Sequence, residues 1–355
     1  MRICVTVLAL LFGPALLGAA GADRQGDDKG KQVEVTVRRL IGEVRSEQMS
    51  RHLFYLAQDP LPYRKLNHTL PGHEKSTLDE ADDYITGQLA GWGYPVEREP
   101  VPVQAFRCDA SKPKAHQYSK PEPDDPWYTA HNLHAIRGHD PIHAAPNWDR
   151  VPELRPATIV VCSHKDSPSW ADSPGAYDNA VGTAANLEIA RVLSTTELPV
   201  TVWHLFCNEE HTPWTSVHAA QKARAREDRL IAVLNTDSIG GKSQADTDAG
   251  RKTNVTGYTT PEGKRLADLM AVVNADYGLG LIQRSFRRES PGDDDGSFVN
   301  AGFPAAVINV GSMPYADPHY HAEGDTAEHV DIENVHLSSQ AVLAALLTLA
   351  LDAGP

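Results

Sequence analysis

The run Ala157-Thr158-Ile159-Val160-Val161-Cys162, followed by Ser163-His164-Lys165-Asp166, is the stretch that decides the fold. A nearly continuous apolar run of this length is typical of a strand that is buried on both faces of a parallel sheet. Similar runs occur at 200–207, 230–234 and 305–310, and helical patterns separate them. This alternation predicts an α/β fold: a mixed, mostly parallel central sheet with helices on both faces.

Other segments fit around this centre. Residues 95–103 alternate like a further strand, and residues 109–127, which are rich in proline and charge, are predicted as an irregular surface loop. Apolar residues at helical spacing predict several helices. The predicted helices are 77–92, 182–193, 215–226, 261–273 and 338–351.

The composition limits the classes of partner. The chain has 355 residues, of which 41% are hydrophobic and 23% charged, as in ordinary soluble globular proteins. It carries 47 acidic and 33 basic residues, which gives a formal net charge of −14. Because no basic patch stands out, the sequence argues against binding to nucleic acid or to an anionic membrane. Cys108, Cys162 and Cys207 do not form a disulfide scaffold, and the last two are expected to be buried thiols.

The N-terminus predicts export. A basic start at residues 1–2, an apolar run at 3–17 and the small residues Ala20-Gly21-Ala22 are typical of a cleaved signal peptide, residues 1–22. The alternative is a membrane anchor, but the run is shorter than the ~20 residues that a spanning helix needs. We therefore expect a periplasmic or extracellular protein, without membrane insertion after cleavage. Residues 23–44 are interpreted as a polar lead-in, disordered at its start, and residues 45–355 as a single domain.

Metal-ligating residue types follow several of the predicted strands. In open α/β sheets, ligands bind beyond the carboxyl ends of the strands, so these side chains are expected to meet at one edge. A further aspartate lies just before a predicted helix, and a histidine lies in the loop after the last strand. The residues concerned are His164, Asp166, Asp178, Glu209, Glu210, Asp237 and His321.

These residue types predict a pair of zinc ions at this edge, because zinc accepts imidazole nitrogen and carboxylate oxygen. His164 and Asp237 are predicted to hold one ion, Glu210 and His321 the other, and Asp178 to bridge them. Two Zn²⁺, three carboxylates and one hydroxide sum to zero charge, which a buried site tolerates. Cobalt or manganese also suits such ligands.

Two further carboxylates have predicted roles that do not involve metal ligation. Consecutive side chains near a strand end point in different directions, so Glu209 can face a bound water while Glu210 binds metal. Glu209 is therefore the candidate general base. Asp166 lies two residues after His164 and is placed to accept its second ring N–H.

Each of these signals is weak by itself. A Glu-Glu pair is usually a solvated face, and with 16 histidines a single one is more often a surface residue than a ligand. The acidic run Asp293-Asp294-Asp295 is interpreted as a loop of solvated acids, with the alternative that one of them contacts a metal ligand. The metal hypothesis depends on the ordered set, in which nearly every member follows a strand.

Five segments resemble the ordered motifs of the secreted bacterial dizinc aminopeptidases. This family also includes glutamate carboxypeptidase-like enzymes, glutaminyl cyclases and transferrin-receptor ectodomains. The resemblance covers roughly residues 75–352 and rests on all five motifs together. The segments are S-H-K-D-S (163–167), S-P-G-A-Y-D-N-A-V-G (173–182), F-C-N-E-E (206–210), L-N-T-D-S-I-G (234–240) and Y-H-A-E-G-D-T (320–326).

The resemblance implies the same five metal ligands, Glu209 as general base, and a cis peptide bond after Asp178. It also implies an enzyme in which metal-bound hydroxide attacks a peptide carbonyl, most simply to remove N-terminal residues. Alternatives within the resemblance are a carboxypeptidase or dipeptidase with the same metal pair, a glutaminyl-cyclase-like acyltransferase with one zinc, and an inactive binding module. Retention of all five ligands and of the base argues against the last.

The sequence also departs from the family pattern. The stretch His211-Thr212-Pro213-Trp214 replaces a Gly-Leu-x-Gly-Ser turn, which changes the wall of the predicted pocket. Asp293–Asp295 stand where the family has Ser-Asp-His. A tyrosine that stabilises the oxyanion in some members has no clear counterpart, since Ser290 falls near that position.

Overall fold

The computed structural model describes residues 19–137 and 156–353. The predicted signal peptide lies almost entirely outside these residues. The helices, numbered in chain order, are Ala19–Ile41 (α1), Ser46–Ala57 (α2), Thr77–Gly91 (α3), Val181–Leu193 (α4), Thr215–Ala225 (α5), Gln244–Asp248 (α6), Pro261–Asp276 (α7), Asp293–Asn300 (α8) and Ile332–Asp352 (α9). The strands are Val96–Ala105 (β1), Arg107–Cys108 (β2), Tyr118–Ser119 (β3), Trp127–Arg137 (β4), Thr158–His164 (β5), Thr201–Cys207 (β6), His211–Thr212 (β7), Leu230–Thr236 (β8), Thr253–Tyr258 (β9), Ile282–Arg287 (β10) and Ala306–Val310 (β11).

A mixed sheet forms the centre of the described chain, with the strand order β10-β9-β11-β8-β5-β6-β4-β1-β7. The four central strands β11, β8, β5 and β6 run parallel to one another. Antiparallel strands lie outside them: β9 pairs with β11, β4 with β6, and β1 with β4 and β7. The predicted fold class is confirmed. Because the parallel strands are adjacent, their carboxyl ends meet at one edge of the sheet.

Strand β5 shows why its sequence is apolar at every position. Ile159 and Val161 belong to a core cluster that includes side chains of α1, α2, α4, α7 and α9. Val160 and Cys162 belong to a second cluster, on the other face, with side chains of α5 and α8. Successive side chains of a strand point to opposite faces, so a strand covered on both faces needs a continuous apolar run.

The N-terminal part differs from the prediction. Residues 23–31 were expected to be disordered, but they lie within helix α1. The helical pattern between 33 and 57 is confirmed by α1 and α2. Helix α1 packs on α9, and this tertiary contact stabilises the helix. A polar segment can be ordered in this way by one apolar stripe.

Helix α9 is long and apolar enough to cross a membrane, by length and composition. Among the described residues, α9 alone meets this criterion. Inside the protein, 67% of its most apolar stretch is buried. Its buried face, which includes Leu343 and Leu346, belongs to the main core cluster. The long apolar pattern is therefore accounted for by core packing.

Candidate metal centre

The structure brings the five predicted ligands together at the carboxyl edge of the sheet. His164 is the last residue of β5, Glu210 follows β6, and Asp237 follows β8. Asp178 lies on an irregular turn just before α4, and His321 lies in the loop after β11. All five side chains are buried. Candidate metal-binding groups among the described residues include His164 with Asp178 and Glu210, and His164 with Glu209 and Asp237.

Distances between the ligand atoms place Asp178 between two histidines. The Oδ1 atom of Asp178 lies 3.1 Å from His164 Nε2, and its Oδ2 atom lies 2.9 Å from His321 Nε2. His164 Nε2 is also 3.4 Å from Asp237 Oδ1, and His321 Nε2 is 3.4 Å from Glu210 Oε1. Two ligands of one tetrahedral zinc ion are about 3.3 Å apart, given bonds of about 2.0–2.2 Å. The donors are therefore spaced as ligands of shared ions.

Several polar atoms at this edge lack an ordinary partner. Glu209 Oε2 is buried and makes no hydrogen bond to any described residue, while Asp178 Oδ2 and His321 Nε2 lie 2.9 Å apart without the geometry of a hydrogen bond. A buried carboxylate without a partner is costly, and a cation removes that cost. The imidazole and carboxylate donors are also those that zinc takes. The residues present therefore fit a zinc centre.

The electrostatics show an excess of negative charge. Burial, together with the neighbouring Asp178 carboxylate, raises the pKa of Glu210 to about 7. Burial raises the pKa of Glu209 well above its usual range, with a contribution from Asp294. Burial alone would lower the pKa of His164, but the surrounding carboxylates raise it well above its usual value. These shifts indicate an edge that stabilises positive charge.

Asp166 organises the loop that carries Glu209 and Glu210. One oxygen accepts from the Glu209 backbone N–H (3.0 Å) and lies 3.3 Å from His164 Nδ1. The other accepts from the Glu210 backbone N–H (2.9 Å) and from His211 Nδ1 (2.8 Å). The predicted contact between Asp166 and His164 is thus present. Asp166 also fixes the backbone next to the candidate base, and the sequence interpretation did not include this role.

The turn that carries Asp178 is held by buried charges of both signs. Asp325 accepts from the backbone N–H groups of Tyr177 (2.8 Å) and Asp178 (3.1 Å). Arg64 is fully buried and donates to the carbonyls of Pro174 and Gly175, both at 2.7 Å. The peptide bond after Asp178 is cis, as the resemblance implied.

Gly175 has a local requirement in the same turn. Its φ of +63° is in the left-handed region, and a Cβ atom there would lie 2.4 Å from the carbonyl oxygen of Asp178. A side chain at this position would therefore displace the turn.

Sequence reasoning missed further residues at the centre. Tyr315 donates from its hydroxyl to Asp237 Oδ2 (3.1 Å) and stacks on Tyr320, whose ring stacks on His321. Tyr315 lies in a Pro-rich loop and gives no local signal. His211 directly follows Glu210, and its position beside the Glu-Glu pair was the available signal. Arg64 lies about 100 residues before the first ligand, and nothing in its local sequence indicates its role.

The acidic run 293–295 was interpreted as solvated, and that interpretation was wrong. The residues open helix α8, and Asp294 and Asp295 are fully buried. Arg288 donates to Asp293 (2.8 Å) and to Asp295. Neither oxygen of Asp294 has a hydrogen-bond partner among the described residues, and burial raises its pKa to about 6. Asp293 and Asp294 raise the pKa of Glu209, so the run adds negative charge at the candidate metal centre.

Comparison with known proteins agrees with this geometry. Residues 149–346 match the sequence profile of peptidase family M28. Leucine aminopeptidase 1 of Sclerotinia sclerotiorum is 24% identical over 212 residues, which are 56% of this chain and 54% of that protein. A probable zinc metalloprotease of Pyricularia oryzae is 28% identical over 235 residues, which cover 54% of this chain and 46% of that protein. The chain thus spans about half the length of these curated relatives.

Solved structures show the same fold. LapA aminopeptidase of Legionella pneumophila has a TM-score of 0.64 at 18% identity, covering 89% of this chain and 75% of that one. A glutaminyl cyclase of Bacteroides thetaiotaomicron has a TM-score of 0.62 at 15% identity, covering 86% and 98%. The family profile spans more than half of the chain and includes the strands that carry the ligands. The chain therefore belongs to peptidase family M28.

Proposed function

We propose that this protein is an exopeptidase that removes N-terminal residues from peptides and holds two zinc ions per chain. The observation that carries the proposal is the position of Asp178, which offers one oxygen to each of two histidines. Such a carboxylate is the natural bridge between two metals. In the proposal, His164 and Asp237 hold one ion, and Glu210 and His321 hold the other.

The side chains divide the chemical work. When bound, the zinc ions polarise a carbonyl and make a water more acidic. Glu209 takes the proton of the attacking water and passes it to the leaving amine, and burial raises the pKa of its carboxyl, which makes the carboxylate a stronger base. Asp166 keeps the Glu209 and Glu210 backbone in place, because its two oxygens accept from both N–H groups. Asp325 and Arg64 hold the turn of the bridging Asp178.

The remaining parts of the proposal concern substrate and location. The names of the relatives support a peptide substrate, and the predicted signal peptide supports export to the periplasm or medium. A glutaminyl-cyclase-like acyltransferase is a second candidate, because the fold covers 98% of the glutaminyl cyclase chain. That candidate differs from the first in metal count and in product.

The first experiment is the zinc content of the purified protein, measured by elemental mass spectrometry after dialysis against metal-free buffer. We expect about two zinc ions per chain, in line with a two-metal site. Peptides with free and with acetylated amino ends are then compared, and only the free peptides should lose their first residue. One zinc and cyclisation of an N-terminal glutamine peptide would favour the second candidate. No zinc after reconstitution would refute both.

A further inference from the structure

The loops that carry the candidate ligands are held by segments that lie far away in the sequence. Part of the segment predicted as an irregular loop belongs to the hairpin of β2 and β3, and the carbonyl of Ala115 between these strands accepts from His321 Nδ1 at 2.8 Å. Such a contact fixes the orientation of a ligating ring. The segment that carries Glu209 has a comparable anchor, the side chain of Lys165.

Lys165 forms a buried ion pair with Asp82. It directly follows His164, and Lys165 and Asp82 are 0% and 1% exposed. The Nζ atom of Lys165 lies 2.7 Å from Oδ1 of Asp82, which belongs to helix α3. Burial of two charges carries a desolvation cost, so a pair of this kind is weak evidence for a role in stability alone. The other contact of the ammonium group indicates a role in the site.

The same ammonium group holds Asn208, the residue directly before Glu209. Lys165 Nζ donates to Asn208 Oδ1 at 2.7 Å. The side-chain amide of Asn208 donates to the carbonyl of His131 at 3.2 Å, and its backbone N–H donates to Thr215 Oγ1 at 2.8 Å. Its carbonyl accepts from the Thr215 N–H at 3.0 Å. Because all four polar atoms of Asn208 have partners, the backbone that leads into Glu209 is fixed.

We propose that Lys165 is a positioning residue for the general base, because it holds Asn208 and thereby the backbone from which Glu209 reaches the attacking water. The inference rests on the proposed function, in which Glu209 is that base. Asp166 accepts from the N–H groups of the next two residues, so residues 208, 209 and 210 are each anchored. A displacement of about 1 Å in a catalytic group can cost about 10²-fold in rate.

The test removes the ammonium group without leaving an unpaired charge in the interior. Lys165→Met alone would leave Asp82 without its partner, so Asp82→Asn is introduced with it. With zinc-loaded enzyme and leucine 4-nitroanilide, we expect this double variant to lower kcat by about 10–100-fold, as for residues that orient a functional group. KM and zinc per chain should stay at the wild-type values, since both residues are buried and neither is a proposed ligand.

A second readout does not depend on turnover. A phosphinate analogue of a dipeptide has a tetrahedral phosphorus centre, which resembles the transition state of peptide hydrolysis more closely than the substrate does. If Lys165 positions Glu209, calorimetry should show that the phosphinate binds the double variant about 10-fold or more weakly than the wild type. The product leucine, which has no such centre, should bind both proteins equally.

The matched control is a second double variant, Lys242→Met with Asp331→Asn. Lys242 is 1% exposed and lies 2.7 Å from Asp331 Oδ2, in a pair that joins the segment after β8 to the start of helix α9. It should retain the wild-type kcat. Asn208→Ala keeps the ion pair of Lys165 and removes only the side chain that it holds. This variant should also lose kcat with full zinc content, and it decides the matter if the Lys165 double variant does not fold.

Three outcomes overturn the inference while the proposed function stands. A wild-type kcat in the Lys165 double variant would show that the two charges only balance each other. An equal loss in the Lys242 double variant would show a general effect on the fold, and a loss of zinc would show that the pair supports a ligand. A wild type that cleaves no peptide with a free amino end would overturn the proposed function itself, and the role of Lys165 with it.

Discussion

Two buried carboxylate clusters, that of Glu99 with its partners and that of the candidate metal centre, differ in how their negative charge is neutralised. Glu99, on β1, accepts from Asn132 Nδ2 (2.8 Å) and from Lys222 Nζ (2.5 Å). It also lies 3.3 Å from a nitrogen of His134 and of His218. Burial would raise the pKa of Glu99, but these partners lower it below its usual range. Its charge is thus satisfied within the protein.

The cluster at the carboxyl edge of the parallel strands has the opposite character. Glu210 and Asp294 have raised pKa values, of about 7 and about 6, mainly because they are buried. Glu209 Oε2 is buried without a hydrogen-bond partner among the described residues, and Asp178 Oδ2 faces His321 Nε2 at 2.9 Å without the geometry of a hydrogen bond. The comparison separates a structural carboxylate, which has its own donors, from carboxylates whose surroundings fit a bound cation.

The largest effect is expected for Asp178→Asn. The amide removes one negative charge and one ligand oxygen from between the histidines, so zinc affinity should fall by more than about 10²-fold. Zinc per chain after dialysis is the measurement. Glu99→Gln is the matched control in the other cluster, and it should retain wild-type zinc content. Full zinc occupancy in Asp178→Asn would remove the distinction between the clusters.

Glu209→Gln should separate catalysis from metal binding. The variant keeps the shape of the side chain but cannot accept a proton, so turnover should fall at least ~10²-fold. Because Glu209 is not a proposed ligand, the zinc content should stay at the wild-type value. Turnover and zinc are measured on the same preparation. A variant with full activity would show that the base lies elsewhere.

Asp325→Asn should have a smaller effect on zinc. The amide nitrogen cannot accept from a backbone N–H, so the turn of Asp178 loses one of its two anchors at Asp325. We expect zinc affinity to fall by about 10–100-fold, as for residues that orient ligands. Asp331→Asn is the control, since Asp331 caps α9 and pairs with Lys242 and Lys252. Competition with a chelator is the measurement, and equal affinities in the two variants would contradict the role of Asp325.

The smallest effect concerns the metal-free protein and pH. Glu210 has a folded pKa of about 7, above its ordinary 4.5, so the folded state binds its proton more tightly than the unfolded state. Stability from this group is therefore full below about pH 4.5 and is lost as pH rises through 7. Each unit of raised pKa corresponds to about 1.4 kcal/mol. Relative to Glu210→Gln, chelator-treated wild type should thus lose more Tm between pH 5 and pH 7.5; the comparison cancels the opposite effect of the buried His52 and His204, whose pKa values burial lowers to about 4 and about 3.

Zinc should reverse this trend, because its ligands bind in deprotonated form and gain affinity as pH rises. The same unfolding series with added zinc is the control. An equal change of Tm with pH in metal-free wild type and Glu210→Gln would show that Glu210 has a normal pKa. In that case the two clusters would differ less than the structure indicates.

The central strands and the convergence of the candidate ligands could be predicted from the sequence for one reason. A parallel strand that is covered on both faces is continuously apolar, and polar residues directly after it stand at one edge of the sheet. His164, Glu210 and Asp237 each carry this signal. Their convergence with Asp178 and His321 is what the structure shows.

Other parts of the fold and of the candidate site depend on tertiary contacts, which leave no pattern in the local sequence. The strands β4, β9 and β10 pair with distant segments, and β10 is largely exposed, so no apolar run marks it. Asp294 was placed in solvent because aspartates are rarely buried, and only the surrounding fold makes it an exception. The hairpin of β2 and β3 has the composition of a loop, and its contact with His321 comes from the tertiary fold.

Arg64 and the hairpin both precede residue 149, where the match to the family profile begins. A fragment limited to 149–346 would retain all five proposed ligands and Glu209. It would lack the Arg64 guanidinium, which donates to the carbonyls of Pro174 and Gly175. It would also lack the Ala115 carbonyl, which accepts a hydrogen bond from His321 Nδ1. The smallest version of this protein that can be engineered must therefore start before Arg64. Shortening of the hairpin should weaken binding of the zinc ion that His321 is proposed to hold.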